Sequence, residues 1–256
     1  MRIAYVAAGR GEPVLLMHGL LVSMEPTWLA GGVFDALSTT NRCVAFDLRG
    51  HGRSGKPHDS NSYGLEMVRD VLRLMDHLGI ERAHVVGYSL GAILGAKLLE
   101  LAPHRLLSLA MGGAGWVRSG DSVHRGWTPL ADSLASVTQG TPLSAHFWPD
   151  PASRPPKEIQ QVIDGNDPAA LAAVARGMTS VTLCEQVLRA NVVPVFAICG
   201  DHDPAKASVM TMSAVTGCFA LHLVPGADHH SLPARPEFLT TIRAFISDPM
   251  GALKRA

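Results

Sequence analysis

A serine hydroxyl is a weak nucleophile at neutral pH, so a chain that uses one must bring a base to it. Ser89 stands in "VVGYSLGA", residues 85–92, with Gly87 two residues before it and Gly91 two after. Apolar β-branched text precedes it and helical text follows. Glycine at both flanks lets a strand and a helix approach without a Cβ clash. The serine can then stand on an abrupt, strained strand-to-helix turn, a nucleophile elbow. A Gly-x-Ser-x-Gly run alone also fits an ordinary turn. Its meaning depends on where the acids and histidines fall.

The elements that must position them follow from apolar patterning. Runs at 2–8, 13–18, 42–47, 83–88, 106–113, 192–200 and 219–226 read as strands. Most are unbroken Val/Ile/Leu/Ala text, as expected for strands covered on both faces. Helical text occupies about 26–37, 64–78, 90–102, 204–214 and 234–247. In 64–78, Leu65, Val68, Val71, Leu72, Met75 and Leu78 recur at helical spacing and mark one buried face. Strand–helix–strand alternation predicts an α/β fold with an open, doubly wound, mostly parallel sheet. The run at 2–8, joined to the next by Gly9, Gly11 and Pro13, can instead be an antiparallel hairpin partner.

Between about 115 and 190 no strand pattern appears. Trp116, Trp127 and Trp148, a Pro-rich stretch at 147–156 and helical text at 167–178 fill this segment. It reads as a helical cap, residues 115–190, inserted into a core domain of residues 1–114 and 191–256. Ordinary crossover helices are the alternative. The final "GALKRA" reads as a frayed tail.

In a doubly wound sheet, chemistry collects at the carboxyl ends of the strands. The 13–18 run ends in His18-Gly19-Leu20, and the 42–47 run leads into "DLRGHGRSG". The 83–88 run leads to Ser89, the 192–200 run to "DHD" at 201–203, and the 219–226 run to "ADHH" at 227–230. A serine, an acid and a histidine therefore follow three separate strands, in that chain order.

The motifs "LLMHG", "DLRGHGRS", "GYSLG", "GDHDP" and "PGADHHSLPARPEF" together resemble the α/β-hydrolase fold superfamily, in its small serine esterase and epoxide-hydrolase-like branch. The resemblance covers nearly the whole chain outside the cap. It implies a catalytic triad: Ser89 as nucleophile, His229 as base and Asp203 as the acid that orients the histidine. The family pattern Gly-x-x-Asp selects Asp203 over Asp201, and the position of its Gly-His pair selects His229 over His230. It also implies an oxyanion hole from the backbone N–H groups of Leu20 and Leu90. His18 and His51 take structural positions. Asp228 stands where the family has glycine. A carboxylate there either alters the turn or approaches the imidazole and favours its protonated form. His230 is then expected at the sheet edge or the start of the last helix.

Bulk composition narrows the partners. The 256 residues are 47% hydrophobic and 17% charged, enough for a substantial core. Lys+Arg and Asp+Glu balance at 22 each, so no basic field points to nucleic acid or an anionic membrane. Cys43, Cys184, Cys199 and Cys218 form no CxxC pair and no zinc spacing. No apolar run reaches bilayer length, and no secretory leader opens the chain. A soluble cytoplasmic protein with no metal and no cofactor is expected.

A serine at the elbow excludes relatives that need a carboxylate there to form an alkyl ester. It points to acyl chemistry on a small-molecule substrate. Hydrolysis of small to medium neutral carboxylic esters through an acyl-enzyme is the expectation. Lactones, amides, thioesters, perhydrolysis and carbon–carbon bond hydrolysis remain open on the same triad. A ligand-binding protein without catalysis is the alternative of another class.

Overall fold

The computed structural model describes residues 1–138 and 140–255. Its centre is a seven-stranded sheet: β1 (Tyr5–Ala8), β2 (Pro13–Met17), β3 (Arg42–Phe46), β4 (Ala83–Tyr88), β5 (Leu106–Gly112), β6 (Val195–Gly200) and β7 (Phe219–Val224). The spatial order is β1-β3-β2-β4-β5-β6-β7. Every adjacent pair is parallel except β1 and β3. The expected doubly wound α/β sheet is therefore present.

β1 departs from the hairpin alternative. It is antiparallel, but its partner is β3, with Tyr5 opposite Phe46 and Ala8 opposite Cys43. The reason lies in β2, whose two edges are already taken by β3 and β4. The free edge of β3 is what remains for β1. Gly9 makes the crossing possible: at φ +80 it lies so close to the next turn that a Cβ would stand 2.1 Å from the Asn41 carbonyl oxygen.

Helices cover both faces. α2 (Leu65–His77) and α3 (Leu90–Leu101) bury Val68, Val71, Met75, Leu94 and Leu98 against Leu15, Val44 and Val85 of the sheet. On the other face, α1 (Val33–Ser38) brings Phe34 and Leu37 to Val14, Leu16 and Val86. The text at 26–37 does not form one helix. Glu25–Leu29 makes a wide helical turn, and Gly32, at φ +72, separates it from α1.

Between β5 and β6 come α4 (Ser122–Ala135), α5 (Leu143–Phe147), α6 (Lys157–Asp164), α7 (Pro168–Met178) and α8 (Glu185–Arg189). Side chains of Asp121 and Asp167 cap α4 and α7 by accepting from their free N–H groups. Trp127, Leu134, Leu171 and Val174 of these helices join the same core cluster as α2 and α3.

After β6 come α9 (Lys206–Ser213), α10 (Pro236–Ser247) and α11 (Pro249–Arg255). α11 corrects the frayed-tail expectation. Asp248 accepts from Gly251 N–H at 2.9 Å, and Ala252 packs with Phe245 and Ile246 of α10. Local capping plus the packing of Ala252 and Leu253 holds this stretch through residue 255; Ala256 lies outside the described residues. Among the described residues no helix is long and apolar enough to cross a membrane.

Candidate active site

The strand order reverses direction between β2 and β4, and the crevice outside their carboxyl ends is where such sheets hold ligands. Their register sets Met17 opposite Gly87, so the next residues out are His18-Gly19 on one side and Tyr88-Ser89 on the other. A Cβ on Gly19 would lie 3.3 Å from the Ser89 Cβ.

Ser89 has φ +51 and ψ −112, one of two described non-glycine residues at positive φ. That backbone conformation is costly for an L side chain and is held by its surroundings. Ser89 N–H donates to Gly112 O at 2.7 Å, and Gly91 N–H donates to His18 O at 3.1 Å. The flanking glycines are required by contact. A Cβ on Gly87 would stand 2.4 Å from the Gly91 backbone, and one on Gly91 would stand 2.3 Å from Met17 O. The elbow therefore binds α3 to β2 through bare backbone.

Ser89 Oγ lies 3.0 Å from His229 Nε2. On the other side of the ring, His229 Nδ1 lies 2.9 Å from Asp203 Oδ2 and 3.2 Å from Oδ1. With Nδ1 carrying the proton, the ring donates to the carboxylate and its Nε2 is free to accept from the serine hydroxyl. The Asp203 side chain is fully buried, while the imidazole is 29% exposed and reachable from solvent. Asp203 Oδ1 also accepts from Ala205 N–H at 2.8 Å, which fixes the carboxylate before the ring meets it.

The neighbouring residues go elsewhere. Asp201 Oδ1 accepts from Gly226 N–H at 2.8 Å and ties the end of β6 to the turn after β7. His230 does not face the sheet edge or the last helix. Its ring meets Trp148 of the inserted segment edge-on, with centroids 5.9 Å apart. Asp228 Oδ1 accepts from His230 N–H at 2.9 Å and Ser231 N–H at 2.8 Å. Those hydrogen bonds, Ser231 foremost, hold its carboxyl below the usual range. Asp228 thus shapes the turn that glycine shapes in the family pattern. Among the described residues no group of three or more His, Cys, Asp or Glu is placed to share a metal ion.

Leu90 follows Ser89 directly, and Leu20 follows Gly19, whose added Cβ would lie 3.3 Å from the Ser89 Cβ. Leu90 is the first residue of α3, where N–H groups lack intrahelical partners. Neither N–H has a protein acceptor among the described residues. Behind Leu20, His18 Nδ1–H donates to Gly19 O at 2.7 Å, and its Nε2 accepts from Leu48 N–H at 2.9 Å. His51 stacks edge-on against it at 5.2 Å. Complete burial pushes His18 down to about 4 and His51 down to about 3, so both rings are neutral supports of the loop.

Two contributors escape the sequence analysis. Tyr88 is buried and its hydroxyl donates to the backbone carbonyl of His229 at 2.5 Å. Burial raises its ionisation far above the ordinary phenol value, so it remains a donor. A tyrosine closing an apolar strand needs a partner for its hydroxyl, and that is the signal available in "HVVGYS". Asn166, from the loop between α6 and α7, donates to Leu21 O at 2.8 Å. Nothing in its local text points to that contact.

Residues 12–151, more than half of the chain, match the family described as alpha/beta hydrolase fold. The chain is 40% identical over 151 residues to the dihydrolipoyllysine-residue acetyltransferase component of the acetoin cleaving system of Cupriavidus necator, covering 59% of this chain and 39% of that protein. It is 33% identical over 142 residues to the 2-hydroxymuconate semialdehyde hydrolase of Pseudomonas putida, covering 54% of this chain and 49% of that protein. The matched region thus spans less than half the length of these two relatives. Among solved structures, a hydrolase from Pseudomonas aeruginosa PA01 superposes with TM-score 0.81 at 24% identity, over 95% of this chain and 93% of that one. At that identity the likeness speaks for the fold.

Proposed function

Because the chain belongs to the alpha/beta hydrolase fold family, we propose that it is a serine hydrolase that cleaves small to medium neutral carboxylic esters through an acyl-enzyme. The observation that carries this reading is the unbroken contact line Asp203–His229–Ser89, ending on a serine in left-handed backbone.

Ser89 Oγ attacks the acyl carbon while His229 Nε2 takes its proton. The new C–O bond pushes the carbonyl electrons onto oxygen, where Leu20 and Leu90 N–H donate. Each such donor is worth about 3 kcal/mol of transition-state stabilisation. The tetrahedral carbon then expels the alcohol, which leaves with the proton from Nε2. Water repeats the sequence in reverse order and frees Ser89 and the carboxylic acid. The buried Asp203 holds the ring and stabilises its positive charge in both halves.

The helices of residues 115–190 act as a cap over this site. Their contacts support that role: Trp148 meets His230, and Asn166 meets the loop after β2. Aromatic Phe147 and Trp148, partly buried and adjacent, suit an apolar acyl or alcohol group. The four cysteines are free thiols, in keeping with a reducing cytoplasm.

The test is turnover of a p-nitrophenyl ester series beside lactones, amides, thioesters and a vinylogous diketone, with Ser89→Ala as control. Labelling by a fluorophosphonate reports an activated serine independently of substrate choice. Ser89-dependent ester turnover is the expected result. Labelling without ester turnover would move the assignment to another acyl substrate, and a carbon–carbon preference would bring it toward the Pseudomonas putida relative. No labelling and no turnover would leave a ligand-binding protein.

A further inference from the structure

The chain after β2 is held at three points. His18 Nδ1–H donates to Gly19 O at 2.7 Å, and Asp47 Oδ1 accepts from Met24 N–H at 3.0 Å. Between them lies Leu21, at φ +68, the second described non-glycine residue in left-handed backbone. A leucine adopts that conformation at a cost of roughly 1–3 kcal/mol and keeps it only where its surroundings impose it. Its carbonyl oxygen accepts from Asn166 Nδ2 at 2.8 Å. The His18 and Asp47 side chains belong to the strand ends of the sheet, whereas Asn166 reaches in from the inserted helices.

We propose that Asn166 is a positioning residue for the oxyanion hole. By holding the Leu21 carbonyl it fixes the Leu21–Val22 peptide and, through the left-handed Leu21 backbone, the course of the chain from Leu20, so that Leu20 N–H in the preceding turn points at the carbonyl oxygen of the substrate. This rests on the hydrolase reading above and extends it: the inserted segment completes the site through one hydrogen bond. Asn166 is itself fixed. The same Nδ2 approaches Val162 O at 3.0 Å and Ile163 O at 3.1 Å, at the end of α6. Next to it, Asp167 caps α7 and pairs with His58 Nε2 at 2.7 Å, a second fastening of the same corner to the core. The amide is thus built into a rigid corner and aimed at a strained peptide.

A residue that only stabilises the fold and one that aims an oxyanion donor differ in a measurable way. Sulfur is a weak hydrogen-bond acceptor, so a thionoester gains little from the hole, whereas the matching ester gains fully. Asn166→Asp keeps the shape and replaces the donor by an acceptor that repels the Leu21 carbonyl. Asn166→Ala removes the group. Both variants are expected to lower kcat on the ester about tenfold or more, with KM changed less than about twofold. Both are also expected to shrink the ester-to-thionoester ratio of kcat/KM. Melting temperatures and far-ultraviolet circular dichroism identify any variant that is unfolded, and the ratio is read from the folded one.

An unchanged ratio in a folded variant would overturn the positioning role, as would losses confined to KM. Fluorophosphonate labelling of the wild type separates the two levels. If Ser89 is labelled and the ratio is unchanged, the Asn166 role falls and the hydrolase reading stands. If Ser89 is neither labelled nor active on any substrate, the hydrolase reading falls and takes this role with it.

Discussion

The hydroxyl of Tyr88 donates to the backbone carbonyl of His229 at 2.5 Å, so the residue before the serine holds the loop that carries the imidazole. Strand β4 thereby sets both ends of the Ser89–His229 contact. Tyr88→Phe removes the donor and leaves the carbonyl without it. A loss of about 1–3 kcal/mol in stability is expected. Turnover should fall on the order of tenfold, because a small drift of the ring is enough to misalign proton transfer. Urea unfolding and ester kinetics on the same preparation check both; equal kcat in wild type and variant would detach Tyr88 from the chemistry.

Asp203 and Asp201 separate cleanly by partner. Asp203→Asn deprives Nδ1–H of its carboxylate and favours the wrong tautomer, so kcat is expected to fall by roughly 10³–10⁴. Asp201→Asn keeps an oxygen for Gly226 N–H and should stay within about threefold of wild type. A reversed ranking would reassign the acid. His229→Ala and His230→Ala should divide the same way, with only the first inactive.

Two glycines make opposite predictions. Gly91→Ala drives a Cβ to 2.3 Å from Met17 O and should destabilise the protein by about 3 kcal/mol or more. Gly126, inside α4, has open space around its missing Cβ. Gly126→Ala should stabilise by about 0.5–1 kcal/mol through helix propensity. Thermal melts rank the two, and a neutral Gly91→Ala would contradict the close packing of α3 on β2.

Stability should fall on mild acidification. His18, His51 and His84 are buried with their ionisation pushed below the ordinary imidazole value, the first two to about 4 and about 3. The unfolded chain therefore binds protons that the folded chain refuses. Their contribution is complete above about pH 6.5 and is lost as pH falls from there toward the folded values. Each fully refused proton makes a slope of about 1.4 kcal/mol per pH unit. Urea midpoints at pH 7, 6 and 5 should decline steadily; a flat series would mean that these rings accept protons in the folded state. The carboxyls of Glu66, Asp167 and Asp228 are held low by their partners and add losses only below about pH 4.

The strands and the serine, acid and histidine were legible because each stands at a boundary that composition marks. An apolar run ends, and a polar residue follows. β2 to β7 form where that text predicts. The partner of β1 was not legible, since pairing depends on which edges other strands leave free. Residue type leaves Asp228 two roles, reshaping the turn or placing a charge beside the imidazole; its Oδ1 closes a local turn, a choice that backbone geometry makes. Tyr88 and Asn166 act across 141 and 145 residues of chain, onto backbone carbonyls that carry no residue-specific signal.

The sheet divides the interior into two apolar compartments, and the buried side chains of residues 115–190 enter only the one shared with α2 and α3. The compartment beneath α1, α10 and α11 draws on none of them. Evolution, or a directed library, can therefore rewrite the inserted helices while the packing of the second compartment stays untouched. The second compartment acts as a reserve of robustness. Stabilising changes placed at Phe245 or Ile246, rather than at Tyr88, which holds His229, should raise tolerance to adventurous substitutions in the insert.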